Sequence, residues 1–216
     1  PAQDVNRIKF LFLPIVALVS PVLLVVAQPD LGTSILIALG GITVAWLAGV
    51  RVKFFAYASI LFISLMPIAI SFLKPYQKAR ILTFFNPDRD PLGAGYQIIQ
   101  SKIAIGSGGL FGKGFLNGSQ SYLDYLPEKH TDFIFTLFSE EFGFLGSIFI
   151  LLLYVLIILR IINIGNLTRS NFGKLYCYSF ATAFFIYVTV NMGMVLGLLP
   201  IVGAPLPIMS YGGSSM

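Results

Sequence analysis

Apolar residues run in blocks near bilayer length along this chain, separated by short polar connections and by one long polar segment. The blocks cover residues 8–27, 31–50, 54–73, 133–164 and 175–199. A membrane-spanning helix needs about 20 consecutive apolar residues, so each block predicts a span. Pro14, Pro21 and Pro67 fall inside blocks. Membrane helices tolerate such prolines, usually with a kink, where neighbours re-satisfy the freed carbonyls. Gly32, Gly40, Gly41 and Gly49 give the second block a close-packing surface. The fourth block is too long for one perpendicular span and contains Glu140, Glu141 and Gly143. It predicts either a strong tilt or first turns standing in a water-accessible cavity.

The polar segment, residues 74–132, ends in Leu126-Pro127-Glu128-Lys129-His130-Thr131-Asp132-Phe133. That stretch holds the single histidine, two acids and a base, and leads straight into the fourth apolar block.

Composition agrees with the pattern. The 216 residues are 56% hydrophobic and only 11% charged, with a mean hydropathy of +0.86. That leaves too little charge to cover a water-facing exterior. The predicted fold is all-α, a single polytopic membrane domain over residues 1–216 with about five spans and one long extracytoplasmic loop. Cys177 is alone, so no intrachain disulfide forms. Residues 1–7 are polar and lead into a run long enough to span, which argues against a cleavable leader. A chain that starts with Pro1 and stops at Met216 reads as a piece of a longer protein.

The net charge of +5 reads as topology, not as nucleic-acid binding. Arg7 and Lys9, then Arg51 and Lys53, then Arg160, Arg169 and Lys174 fall on one side if the spans alternate. The opposite short connections, 28–30 and the final turn, carry no Lys or Arg. The basic side is therefore cytoplasmic, and the long loop, Asp30 and the turn at 210–214 lie outside.

Asp132 follows Thr131 where an apolar helix begins. It can serve as a cap, which favours an acid at the positive end of the helix dipole. The same placement holds a carboxylate ionised and aimed, ready to act as a general base or to ligate a cation. Asp30 reads either as a cap over residues 30–33 or as part of a pocket shared with Asp132. Asn191, mid-span, reads as packing glue, and Glu140 as a cavity wall on the face of Thr136.

The run Gly106-Ser107-Gly108-Gly109-Leu110-Phe111-Gly112-Lys113-Gly114 lacks both the Walker spacing and a dinucleotide fingerprint. It reads instead as a turn in an amphipathic, membrane-surface segment over 97–115, with Lys102 and Lys113 reaching anionic headgroups or phosphate. One His and one distant Cys make no zinc site.

Several motifs in order resemble the family of shape, elongation, division and sporulation proteins (SEDS), and the rod-shape-determining branch more than the division branch. They are Gln28-Pro29-Asp30-Leu31-Gly32-Thr33, Asn86-Pro87-Asp88, Asp90-Pro91-Leu92-Gly93-Ala94-Gly95-Tyr96, Gln100 to Gly109, Leu126 to Phe135, and Pro205 to Ser214.

The resemblance implies a bacterial cytoplasmic-membrane glycosyltransferase that polymerises glycan strands from lipid II, an undecaprenyl-pyrophosphate disaccharide-pentapeptide. It implies Asp132 as the essential acid, with Asp30 lining the cavity. Arg80, Lys102, Lys129 and His130 are candidates for holding phosphate, with a divalent cation (Mg or Mn) as a further option. Implied partners are a class B penicillin-binding protein transpeptidase and membrane proteins of the elongation complex, with no nucleic acid. A lipid II transporter and a non-catalytic scaffold are the competing readings. The fragment would hold the fifth to ninth of ten spans.

Overall fold

The computed structural model describes residues 8–28, 30–72, 78, 82–84, 86, 94–118 and 130–211. Among the described residues the structure is helical and contains no strand. The chain separates into two compact units, residues 1–78 with 161–183, and residues 79–160 with 184–216.

The first unit begins with α1 (Ile8–Ala27), α2 (Leu31–Leu47) and α3 (Val52–Phe72). The second of these stops short of the expected 31–50 because the chain turns at Gly49, whose φ of +85° suits a residue without a Cβ. Gly41 lies directly against the Leu18 side chain, so α1 and α2 approach through a glycine. Trp46 and Phe55 close the next turn with ring centroids 5.5 Å apart. The unit also holds a hairpin end in which Gly165 faces Cys177 and Tyr178. There the Tyr178 hydroxyl donates to Asn166 Oδ1 at 2.5 Å.

The two longest helices are α5 (Ile134–Leu167) and α6 (Asn171–Val195), preceded by α4 (Ala94–Gly108). Both α5 and α6 are long and apolar enough to cross a membrane, whereas the apolar stretches of α1 to α3 (Leu11–Ala27, Gly32–Leu47 and Val52–Pro67) are shorter. Only 17% of the most apolar window of α5 is buried. Phe149, Leu152 and Leu156 are exposed along it, the apolar surface that a membrane-crossing helix presents.

The core of the second unit gathers Ile98 from α4, Phe133 and Phe135 at the start of α5, Phe184, Val188 and Val195 from α6, and Leu206 from the tail. Ser101 and Thr136 pair inside it. The Ser101 hydroxyl donates to the Val195 carbonyl at 2.7 Å, which leaves the Thr136 hydroxyl to donate in its 2.7 Å contact with Ser101.

The excess length of the fourth apolar block has a specific cause. The helix breaks at Gly143, with φ +68° and ψ −163°. A broken helix frees main-chain groups that lipid cannot satisfy, and the glycine-rich run supplies partners. The amides of Lys113 and Gly114 donate to the carbonyls of Glu140 and Glu141, and those of Phe144 and Leu145 donate to Gly109 and Leu110. A Cβ on Gly112 or Gly143 would collide with the facing backbone, which explains why both are glycine. Lys113, read from sequence as a headgroup or phosphate contact, instead pairs with Glu140 at 2.7 Å. Glu140 is fully buried under the run and is no open cavity wall.

Candidate active site

Asp132 sits two residues before the first turn of α5, in a bend formed by His130, Thr131 and Asp132. The buried Phe133 ring anchors the end of that bend in the core. What fixes the bend is its backbone. Three consecutive carbonyls each accept a hydrogen bond from a later part of the chain. His130 O accepts from the Tyr211 amide at 2.9 Å, Thr131 O from the Ser210 hydroxyl at 2.7 Å, and Asp132 O from Asn191 Nδ2 at 2.8 Å. Asn191 also donates to the Ala204 carbonyl at 2.7 Å. The tail that delivers these donors is braced by the Leu206 amide donating to Ser210 Oγ at 2.7 Å.

Main-chain groups carry the attachment of the bend to the tail. His130 is exposed, and Thr131 and Asp132 are half-buried. A Cβ on Gly203 would lie 3.5 Å from Asp132 Oδ2, in ordinary contact. Gly203 has φ +72°, so the tail passes the carboxylate with backbone alone. The carboxylate also stands at the positive end of α5, which favours its ionised form. A half-buried, backbone-fixed carboxylate at a helix N-terminus can accept a proton from a hydroxyl brought to it.

The other sequence-predicted residues fall in different places. Lys102, exposed on α4, lies with its ammonium end over Gly197, in the turn after α6. Asp30 caps α2, accepting from the Thr33 amide at 3.0 Å and the Thr33 hydroxyl at 2.6 Å. It belongs to the first unit and Asp132 to the second. Arg80 and Lys129 lie outside the described residues, as does Glu128.

Among the described residues, no three His, Cys, Asp or Glu side chains converge as cation ligands.

Asn191, Gly203 and Ser210 are contributors that sequence reasoning did not assign. Asn191 carried a signal, a buried amide in an apolar helix, that fits packing and clamping equally. The turn motif at 205–214 signalled Ser210 only as part of a resemblance. The positive φ of Gly203 has no counterpart in hydrophobic periodicity.

A family model described as FtsW/RodA/SpoVE, cell cycle protein, matches residues 2–216. The peptidoglycan glycosyltransferase MrdB of Escherichia coli K12 is 50% identical over 100% of this chain and 60% of its own length. Stage V sporulation protein E of Bacillus subtilis is 40% identical over 99% of this chain and 58% of its own. The chain thus spans about 60% of the length of these curated relatives. Among solved structures, a chain reported under the words "polymerization and crosslinking by a peptidoglycan synthase complex" matches at TM-score 0.73 and 35% identity, over 98% of this chain and 58% of that one. The rod shape determining protein RodA of Thermus thermophilus matches at TM-score 0.60 and 26% identity, over 100% of this chain and 56% of that one.

Proposed function

The chain belongs to the FtsW/RodA/SpoVE family of cell-cycle proteins, and from that premise we propose that it is the site-bearing part of a peptidoglycan glycosyltransferase. The proposed enzyme polymerises glycan strands from lipid II at the outer face of the bacterial cytoplasmic membrane, during elongation and shape maintenance. The observation that carries this reading is the clamped bend, which presents the half-buried Asp132 at the start of a helix long and apolar enough to cross a membrane.

In the proposed step Asp132 takes the proton from a sugar hydroxyl of the acceptor. The hydroxyl oxygen forms a bond to the anomeric carbon of the donor sugar, and the bond from that carbon to pyrophosphate breaks. The leaving group departs as an anion with its electron pair and needs no protonation. One carboxylate is therefore enough, unlike the two-acid arrangement of most glycoside hydrolases.

Cationic groups stabilise the departing charge, and Lys102, His130, Arg80 and Lys129 are the residues proposed for that role. Asp30 is proposed to line the substrate cavity. A class B penicillin-binding protein is the proposed partner, supported by the synthase complex among the structural relatives. Five spans with the loop at 74–132 outside is the proposed topology.

The test uses the full-length parent protein with its partner transpeptidase, supplied with lipid II. Asp132→Ala is expected to lower polymerisation by about 10²–10⁴-fold, the usual range for losing a general base. Retained polymerisation by a folded Asp132→Ala protein refutes the assignment. Flipping of labelled lipid II in liposomes, without polymer from the unaltered protein, would point to a transporter.

A further inference from the structure

We propose that Asn191 is the positioning residue of this site, clamping the Asp132 bend to the 203–204 turn so that the carboxylate keeps one fixed place beside Gly203. The inference rests on the proposed role of Asp132.

Asn191 lies near the end of α6, and its side chain is fully buried. An amide carries two N–H donors on one nitrogen, and here both go to main-chain carbonyls, Asp132 O at 2.8 Å and Ala204 O at 2.7 Å. Those carbonyls come from segments 72 residues apart in the chain (204 minus 132). Among the described residues the amide oxygen Oδ1 accepts no hydrogen bond.

Turning the amide over would set that oxygen against two carbonyl oxygens and take both carbonyls and both N–H groups from their partners. Its orientation is thus fixed by the two carbonyls. The reading of Asn191 as glue between helices misses its targets. Both of its hydrogen bonds go to main-chain carbonyls rather than to a side chain of a neighbouring helix. It holds the residue that bears the carboxylate and the neighbour of the residue that passes it.

Such a group touches no substrate and acts only through where it holds Asp132. Two near-isosteric substitutions separate this from filling space. Asn191→Leu keeps the volume and removes both donors, and Asn191→Asp keeps the shape but turns an acceptor toward the two carbonyls.

In the full-length parent with its partner, each folded variant is expected to lose about tenfold to a hundredfold in kcat, the scale of a misplaced catalytic group. KM for lipid II is expected to stay within about twofold, because a loss confined to the transition state leaves ground-state binding intact. Hydrogen exchange should rise together in peptides covering 130–136 and 201–210, with the middle of α5 unchanged.

If neither variant reaches the membrane folded, Asn191→Gln retains the donors but displaces them by one methylene, and should show the same split at smaller size. An unchanged kcat in a folded variant, or activity that falls only with the folded fraction, overturns the proposal. Asp132→Ala is measured alongside. Full activity there refutes the base and not the clamp, which the exchange measurement then decides: a joint rise supports it, and no joint rise overturns it.

Discussion

Glu140 has no exposed side-chain surface, and the Lys113 ammonium lies 2.7 Å away. Leaving the buried Glu140 without that cation is costly, because a buried ion keeps its desolvation penalty and loses its compensation. Lys113→Met should destabilise the protein by about 3–5 kcal/mol, the range for breaking a buried pair. Lys113→Met with Glu140→Met should recover most of it. Thermal unfolding in detergent of the four members of the cycle measures both.

The pairing was not legible from sequence. Lys113 and Glu140 lie 27 residues apart, one in a glycine run that suggested headgroup contact and one in an apolar block. The position of Asp132 just before an apolar helix was legible for the opposite reason. Its neighbours form a recognisable motif, and an acid just before an apolar helix has few physical roles.

The break in α5 belongs to the scale of elements. Its first part carries Thr136, Ser139 and Glu140, all buried. Residues 144–167 then supply 24 residues, about 36 Å at 1.5 Å each, enough for a span. The sequence showed that the block was too long but not why. A glycine that breaks a helix and one that merely packs look alike until the facing backbone is known.

That facing backbone makes a prediction. Gly112→Ala forces a Cβ into the Glu141 carbonyl and demands φ +80° of an alanine. A cost of about 2–4 kcal/mol is expected from strain and crowding together. Gly106→Ala, where nothing lies within 4 Å, should cost little. Comparing the unfolding temperatures of the two variants separates backbone fit from helix propensity.

At the scale of the whole molecule the apolar pattern anticipated the helices well and their ends less well. The first helix lies at 8–27 as the pattern has it. The last runs over Asn171–Val195, where 175–199 was expected. It starts early because the Ser170 hydroxyl accepts from the Gly173 amide at 3.0 Å, and it ends early at the turn through Gly197, φ +69°. The division of the chain into two units left no trace in composition.

The proposed topology is tested by thiol labelling. With Cys177→Ser as background, a cysteine at Phe111, exposed on the glycine run, should react with an impermeant maleimide on spheroplasts. One at Arg169 should react only after lysis. The reverse pattern would invert the orientation and move Asp132 to the cytoplasm.

The three clamped carbonyls also set a schedule for the growing chain. The bend at 130–132 leaves the ribosome well before its fasteners, which lie 59 residues later at Asn191, 79 later at Ser210 and 81 later at Tyr211. At about 5–20 residues per second this is a wait of roughly 4–16 s for the last of them. During that interval α5 can already be inserted while Asp132 has no fixed place. A chain that stops before Asn191 would therefore lack the clamp on this bend, so the arrangement ties the fixed place of Asp132 to completed synthesis of this segment.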